Sequence, residues 1–117
     1  DLDIHELGIQ ANGKVIFVNT KYSCLAELSP THSFKAIWKP KFISKLAPED
    51  RCHLNGLCVV EGWPAFVTAL GATDTPGGWR DNKRGGGVVI EISTGEVIAS
   101  GLSMPVARLR AKLRRYR

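Results

Sequence analysis

Short apolar runs broken by turn residues, rather than long amphipathic stretches, set the pattern of this chain. Residues 4–9, 14–19, 24–28 and 34–38 form a first group of such runs, separated by Ala11-Asn12-Gly13, Lys21-Tyr22-Ser23 and Ser29-Pro30-Thr31. Residues 57–60, 64–70, 88–93 and 97–100 form a second group, with Thr94-Gly95 as a tight turn between the last two. Runs of this length bounded by Gly, Pro, Asn and Ser predict β-strands. Residues 15–18 and 88–92 are β-branched and almost unbroken, as strands buried on both faces are. Nothing before residue 105 repeats every 3.6 positions, so the body is predicted to be all-β. The expected organisation is one four-stranded antiparallel unit over residues 3–39, a Pro-rich connector over 40–52, and a second unit over 53–103.

The two groups echo one another. His5-Glu6-Leu7-Gly8-Ile9 resembles His53-Leu54-Asn55-Gly56-Leu57, and the Phe-Val of Phe17-Val18 matches that of Phe66-Val67. A period of roughly 50 residues with several strands per copy is the signature of a propeller-type array. Such a unit cannot bury its own faces, so two of them read as part of a six-bladed β-propeller, truncated here. An incomplete array leaves strand edges open, and self-association through exposed blade edges is the expected consequence.

The second copy departs from the first in one place. Between its second and third strands it inserts residues 71–86, rich in Gly and carrying Asp74, Trp79, Arg80, Asn82, Lys83 and Arg84. Loops of this length are uncommon unless functional, and insertions in repeat arrays collect on one face.

Charge changes the picture less than the total suggests. The net +5 arises from the last ten residues, which hold six Lys and Arg; the remaining ten Lys and Arg against eleven Asp and Glu leave the body at −1. The basic character therefore belongs to residues 106–117. There Val106, Leu109, Leu113 and Tyr116 fall on one side of a notional helix. Nucleic-acid binding would rest on this tail alone. The three cysteines, with no CxxC pair, predict reduced thiols and a cytoplasmic setting. No apolar run reaches the ~20 residues that span a bilayer.

Candidate chemistry is sparse. His5 and His53 stand at matching positions of the two copies, either as groups that line a channel or as histidines bonded to a neighbouring strand. Asp74, Trp79, Arg80, Asn82 and Arg84 combine charge, an aromatic face and hydrogen-bonding groups. Arg80 with Arg84 suits a carboxylate or phosphate. A small polar or anionic ligand is the partner this set implies. Asn55 and Glu6 are candidate oxygen ligands for Ca2+ or another divalent cation, although Asn55-Gly56 also reads as a tight hairpin turn. No HExxH, P-loop, GxGxxG or GxSxG motif occurs.

Longer phrases carry a family resemblance. Ile16-Phe17-Val18-Asn19-Thr20, Ser23-Cys24-Leu25-Ala26, Trp38-Lys39-Pro40 and Ala47-Pro48-Glu49-Asp50-Arg51-Cys52-His53-Leu54-Asn55-Gly56-Leu57 are among them. Val67-Thr68-Ala69-Leu70-Gly71, running into Thr73-Asp74-Thr75-Pro76-Gly77-Gly78-Trp79-Arg80, is the most specific. Over residues 3–105 the chain resembles an uncharacterised bacterial family, domain of unknown function 4915. The resemblance implies a β-propeller without an established activity. Relatives continue past Met104-Pro105 with further repeats, whereas this chain turns to Arg-rich sequence, as a frameshifted reading frame would. Two functions are expected on these grounds. The first is a ligand-binding or interaction module acting through residues 71–86. The second is a metal-dependent hydrolase of the gluconolactonase or lactonase type, the Asn-Gly element at Asn55-Gly56 resembling that group.

Overall fold

The computed structural model describes residues 4–103, leaving aside the side chains of Ile4 and His5. The tail over 106–117, its predicted helix and the His5 side chain lie outside the described residues. Among the described residues eight strands run in chain order: β1 Ile4–Ile9, β2 Val15–Asn19, β3 Cys24–Glu27, β4 Lys35–Trp38, β5 Leu54–Val60, β6 Trp63–Ala69, β7 Gly87–Glu91 and β8 Val97–Leu102. One short 3-10 helix, Gly78–Asn82, falls between β6 and β7. The strands form two four-stranded sheets in sequential order, β1-β2-β3-β4 and β5-β6-β7-β8, every pairing antiparallel. The all-β class and the two four-stranded antiparallel sheets agree with the sequence pattern. Among the described residues no helix is long and apolar enough to cross a membrane.

Local chemistry explains the turns. Asn12 accepts the Lys14 amide on its side-chain oxygen at 3.0 Å, and Gly13 supplies a φ of 82°. The β5–β6 hairpin closes through Glu61 (φ 52°) and Gly62 (φ 84°), the double positive φ of a type I′ turn. The β7–β8 turn closes on Gly95, whose amide donates to the Glu91 carbonyl.

The sheets stack face to face. Ile16, Val18 and Leu25 of the first meet Leu54, Leu57, Val67, Ala69, Val88 and Ile90 of the second in one core. Gly8 permits the approach: a Cβ there would stand 3.0 Å from a Val59 methyl. The connector is part of this core. Ile43 and Cys52 are fully buried in it, which for Ile43 alone contributes about 1.5–3 kcal/mol. Thr20 adds a polar tie, donating its hydroxyl to the Leu54 carbonyl at 2.6 Å.

Two details of the sequence reading change. Asn55-Gly56 is not a turn; it lies inside β5. There Leu54 pairs with Ala69 and Gly56 with Thr68, so Asn55 is the extra residue of a β-bulge. In β1 Ile4 pairs with Asn19 and Glu6 with Val18, which makes His5 the extra residue. Aligned on these bulges, His5 is the counterpart of Asn55, not of His53, and Phe17 the counterpart of Val67, not of Phe66. The phrase match sets the histidines 48 positions apart and the Phe-Val pairs 49 apart, whereas the two bulged hairpins superpose at a constant 50. A one-residue slip in a strand turns every side chain to the other face.

Candidate functional site

The connector approaches β5 through Pro48-Glu49-Asp50-Arg51-Cys52-His53, and this run organises the site. Asp50 (φ 46°) and His53 (φ 51°) both occupy the left-handed region that disfavours residues with a Cβ. Each such backbone costs about 1–3 kcal/mol and persists only where its surroundings hold it there. Here they are held on several sides. The Asp50 amide donates to the Lys21 carbonyl at 2.8 Å. The Asp50 carboxylate meets His53 Nδ1 at 2.9 and 3.0 Å. The Asp50 carbonyl accepts the Trp79 indole N–H at 3.0 Å.

Trp79 is the centre of the cluster. It is 8% exposed, and its ring lies 4.5 Å from the His53 ring, centroid to centroid, at a tilt of 41°. The Arg80 guanidinium stands over the same indole at 4.5 Å, with the Lys83 ammonium at 5.9 Å. An indole face attracts cations in this range. Gly71 makes room for the backbone of Trp79: a Cβ at position 71 would lie 3.2 Å from the Trp79 Cα.

A second cluster anchors the loop to the connector. Arg51 donates from Nε and Nη2 to Glu49 Oε1, at 3.0 and 2.7 Å. Its Nη1 donates to Asp74 Oδ1 at 2.9 Å and to the Asp74 carbonyl at 3.0 Å. Asp74 Oδ1 also accepts the Ser44 amide at 3.1 Å. Hydrogen bonds from Ser44 and from Arg51 hold the Asp74 carboxyl below its ordinary value. Thr73 completes the clasp by donating its hydroxyl to the Arg51 carbonyl at 2.5 Å. Burial pushes the Cys52 thiol, next in sequence, up to about 12, and it does the same to Cys24. Both are therefore neutral and poor nucleophiles.

The residues singled out from sequence do not form a single group. His53, Trp79 and Arg80 come together. Asp74 is engaged by Arg51 and Ser44 and fastens the loop. Asn82 shapes the loop's exit, its side-chain oxygen accepting the Gly85 amide at 3.3 Å and its carbonyl the Gly86 amide at 2.9 Å. Arg84 is exposed on the same loop. Among the described residues Lys83, Arg84 and Asp81 form no ion pair, which leaves the exposed part of the loop with three cations, counting Arg80, against one carboxylate. Asn55 accepts the Thr68 hydroxyl at 2.6 Å, and that same hydroxyl takes the Gly56 amide at 2.9 Å. Its amide oxygen thus already serves the bulge. Glu6 lies on β1, one position past the first bulge. Among the described residues, no three His, Cys, Asp or Glu side chains converge to hold a metal ion.

Asp50, Arg51 and Glu49 were not among the residues singled out. Their signal was available: three charges in a row directly after Pro48, ahead of a buried strand, have to find partners nearby. Which partners is a matter of long-range geometry, since Asp74 lies 23 positions away.

No curated protein and no solved structure gives a significant match to the chain. A family model does match, over residues 1–110, and its description is Domain of unknown function (DUF4915). That span takes in both sheets, the connector and the loop with its Asp50–His53–Trp79 cluster, and the chain belongs to this family.

Proposed function

We propose that this chain is a pair of β-propeller blades acting as a ligand-binding or interaction module, with residues 71–86 as the contact surface and a small anionic group as the ligand. The observation that carries the reading is the pair of left-handed backbones at Asp50 and His53, locked together under Trp79. Non-glycine residues held in this region cluster at functional sites, because only a surrounding network keeps them there. The network presents an indole face bearing Arg80 and Lys83, with Arg84 on the same loop. Guanidinium groups bind carboxylate and phosphate through paired donors. Two stacked four-stranded meanders, each with a bulge in its first strand, support the propeller architecture.

This reading takes precedence over the hydrolase. The Asn55 oxygen that would bind a divalent cation accepts the Thr68 hydroxyl, and among the described residues no three His, Cys, Asp or Glu side chains gather as a metal-binding group. The test is calorimetric titration of the chain with inorganic pyrophosphate and, separately, with citrate. Binding is expected to weaken about tenfold or more in the double variant Arg80→Gln/Arg84→Gln, the loss of one or two charge-assisted hydrogen bonds. An Arg51→Lys variant tests the clasp separately. Absence of binding to both probes at millimolar concentration, or unchanged affinity in the double variant, would refute the proposal.

A further inference from the structure

Each sheet uses one face to pack on the other and turns its second face outward. Strand alternation fixes which residues stand there. In the first sheet Leu7, Phe17, Ala26 and Ala36 form one cross-strand row on the outer face, with Phe17 and Ala26 already buried there against Tyr22 and Phe34. Leu7 is 64% exposed, and Ile9, two positions along the same face, 69%. In the second sheet Cys58, Phe66, Val89, Ala99 and Leu102 cluster outward. Val59 points into the shared core, so its neighbour Val60 and the Val60 partner Trp63 point out; Trp63 is 50% exposed.

The bulge-aligned register says what kind of face each of these is. Phe17, on the outer face of the first sheet, is the counterpart of Val67, which lies on the inner face of the second. Ile16, on the inner face of the first sheet, is the counterpart of Phe66, which lies on the outer face of the second. The two outer faces are thus the same two types of surface that already pack against each other inside the chain.

We propose that the outer face of the second sheet in one copy receives the outer face of the first sheet in another. The chain then associates head to tail, by repeating its own sheet-on-sheet packing. The interface is heterologous, since two different patches meet, and it propagates until it closes on itself. It differs from pairing through strand edges. Every edge strand is interrupted by an extra residue: His5 in β1, Ile37 in β4, Asn55 in β5 and Ile98 in β8. Bulges of this kind disrupt the ladder an incoming strand would need. The faces are instead reached through their exposed apolar residues, Leu7 and Ile9 on one and Trp63 on the other. The argument is independent of anion binding, which uses the 71–86 loop.

Sedimentation velocity on the full 117-residue chain tests this with two exposed substitutions, Leu7→Glu on one face and Trp63→Glu on the other. The parent mass is expected to rise with concentration above the 12.8 kDa of one copy. Each variant alone is expected to stay at 12.8 kDa at every concentration. An equimolar mixture has one intact face of each kind, so it should give a species of twice that mass and nothing larger. Ile9→Glu replaces Leu7→Glu should the latter fail to fold, as judged by circular dichroism. A monomeric parent, variants that assemble as the parent does, or folded variants whose mixture stays monomeric would each overturn the proposal.

Discussion

Replacing Trp79 by Phe retains an aromatic ring next to His53 but removes the indole N–H. In the parent that group donates to the Asp50 carbonyl at 3.0 Å, from a side chain that is 8% exposed. The Phe variant leaves this carbonyl without its donor, in a segment whose backbone is already strained at φ 46°. Leaving a buried acceptor unpaired costs about 1–3 kcal/mol, and the half-buried setting of Asp50 sets the lower end of that range. Taking about 1 kcal/mol, and roughly 4 °C per kcal/mol for a chain of this size, the melting temperature should fall by about 4 °C. Thermal unfolding followed by near-ultraviolet circular dichroism measures this. At a concentration where the chain is monomeric, Trp63→Phe is the control: its indole is 50% exposed, and surface substitutions usually stay within about 0.5 kcal/mol. A separate double-mutant cycle of Trp79→Ala with His53→Ala should return a coupling of about 0.5–1.5 kcal/mol for the ring pair. If Trp79→Phe melts with the parent, or no further below it than Trp63→Phe does, the indole bond does not hold the Asp50 backbone and the reasoning fails.

Four further outcomes follow from the structure. The Asp74 carboxyl titrates below its ordinary 3.8 in the fold, so its contribution to stability is present above that value and lost as pH falls through the lower folded one. Denaturant melts of Asp74→Asn should lack this acid component, and an acid profile identical to the parent would count against the clasp. Cys24 and Cys52, raised to about 12 by burial, bind a proton more tightly folded than unfolded. Stability should be full below pH 9.0 and decline from there towards about 12. A thiol reagent at neutral pH should label half-buried Cys58 first and the other two only on unfolding; equal rates for all three would contradict the burial. Glu61 sits at φ 52° ahead of Gly62 in a type I′ turn, so Glu61→Asn should stabilise by about 0.5–1 kcal/mol in urea unfolding. Destabilisation instead would mean that the Glu61 side chain contributes more to the fold than its backbone strain removes.

The candidate site was only partly readable in advance. His53, Trp79 and Arg80 attract notice as an isolated histidine and as an aromatic-cationic pair in a Gly-rich insertion. That His53 meets Trp79 across 26 positions requires the loop to fold back over the connector, and no local pattern encodes that. Asp74 shows the reverse case. As a bare residue it is a candidate ligand contact, yet the Arg51 fork and the Ser44 amide turn it into the loop's fastening. The connector is a similar case: its Pro-rich composition suggests a linker, whereas Ile43 and Cys52 complete the core between the sheets.

What the sequence determined by itself is the strand content: alternating and β-branched runs, cut by Asn-Gly, Ser-Pro and Thr-Gly turns, specify eight strands in two groups because the signal is local and has a period of two. Tertiary structure decided register and face. The bulges at His5 and Asn55 depend on which carbonyl across the ladder meets which amide, and they reverse the correspondence that matching phrases suggest. It also decided the charges: Glu49, Arg51 and Asp74 are ordinary surface residues in one dimension, and they become an anchored network only when a 23-residue detour brings the loop back onto the connector.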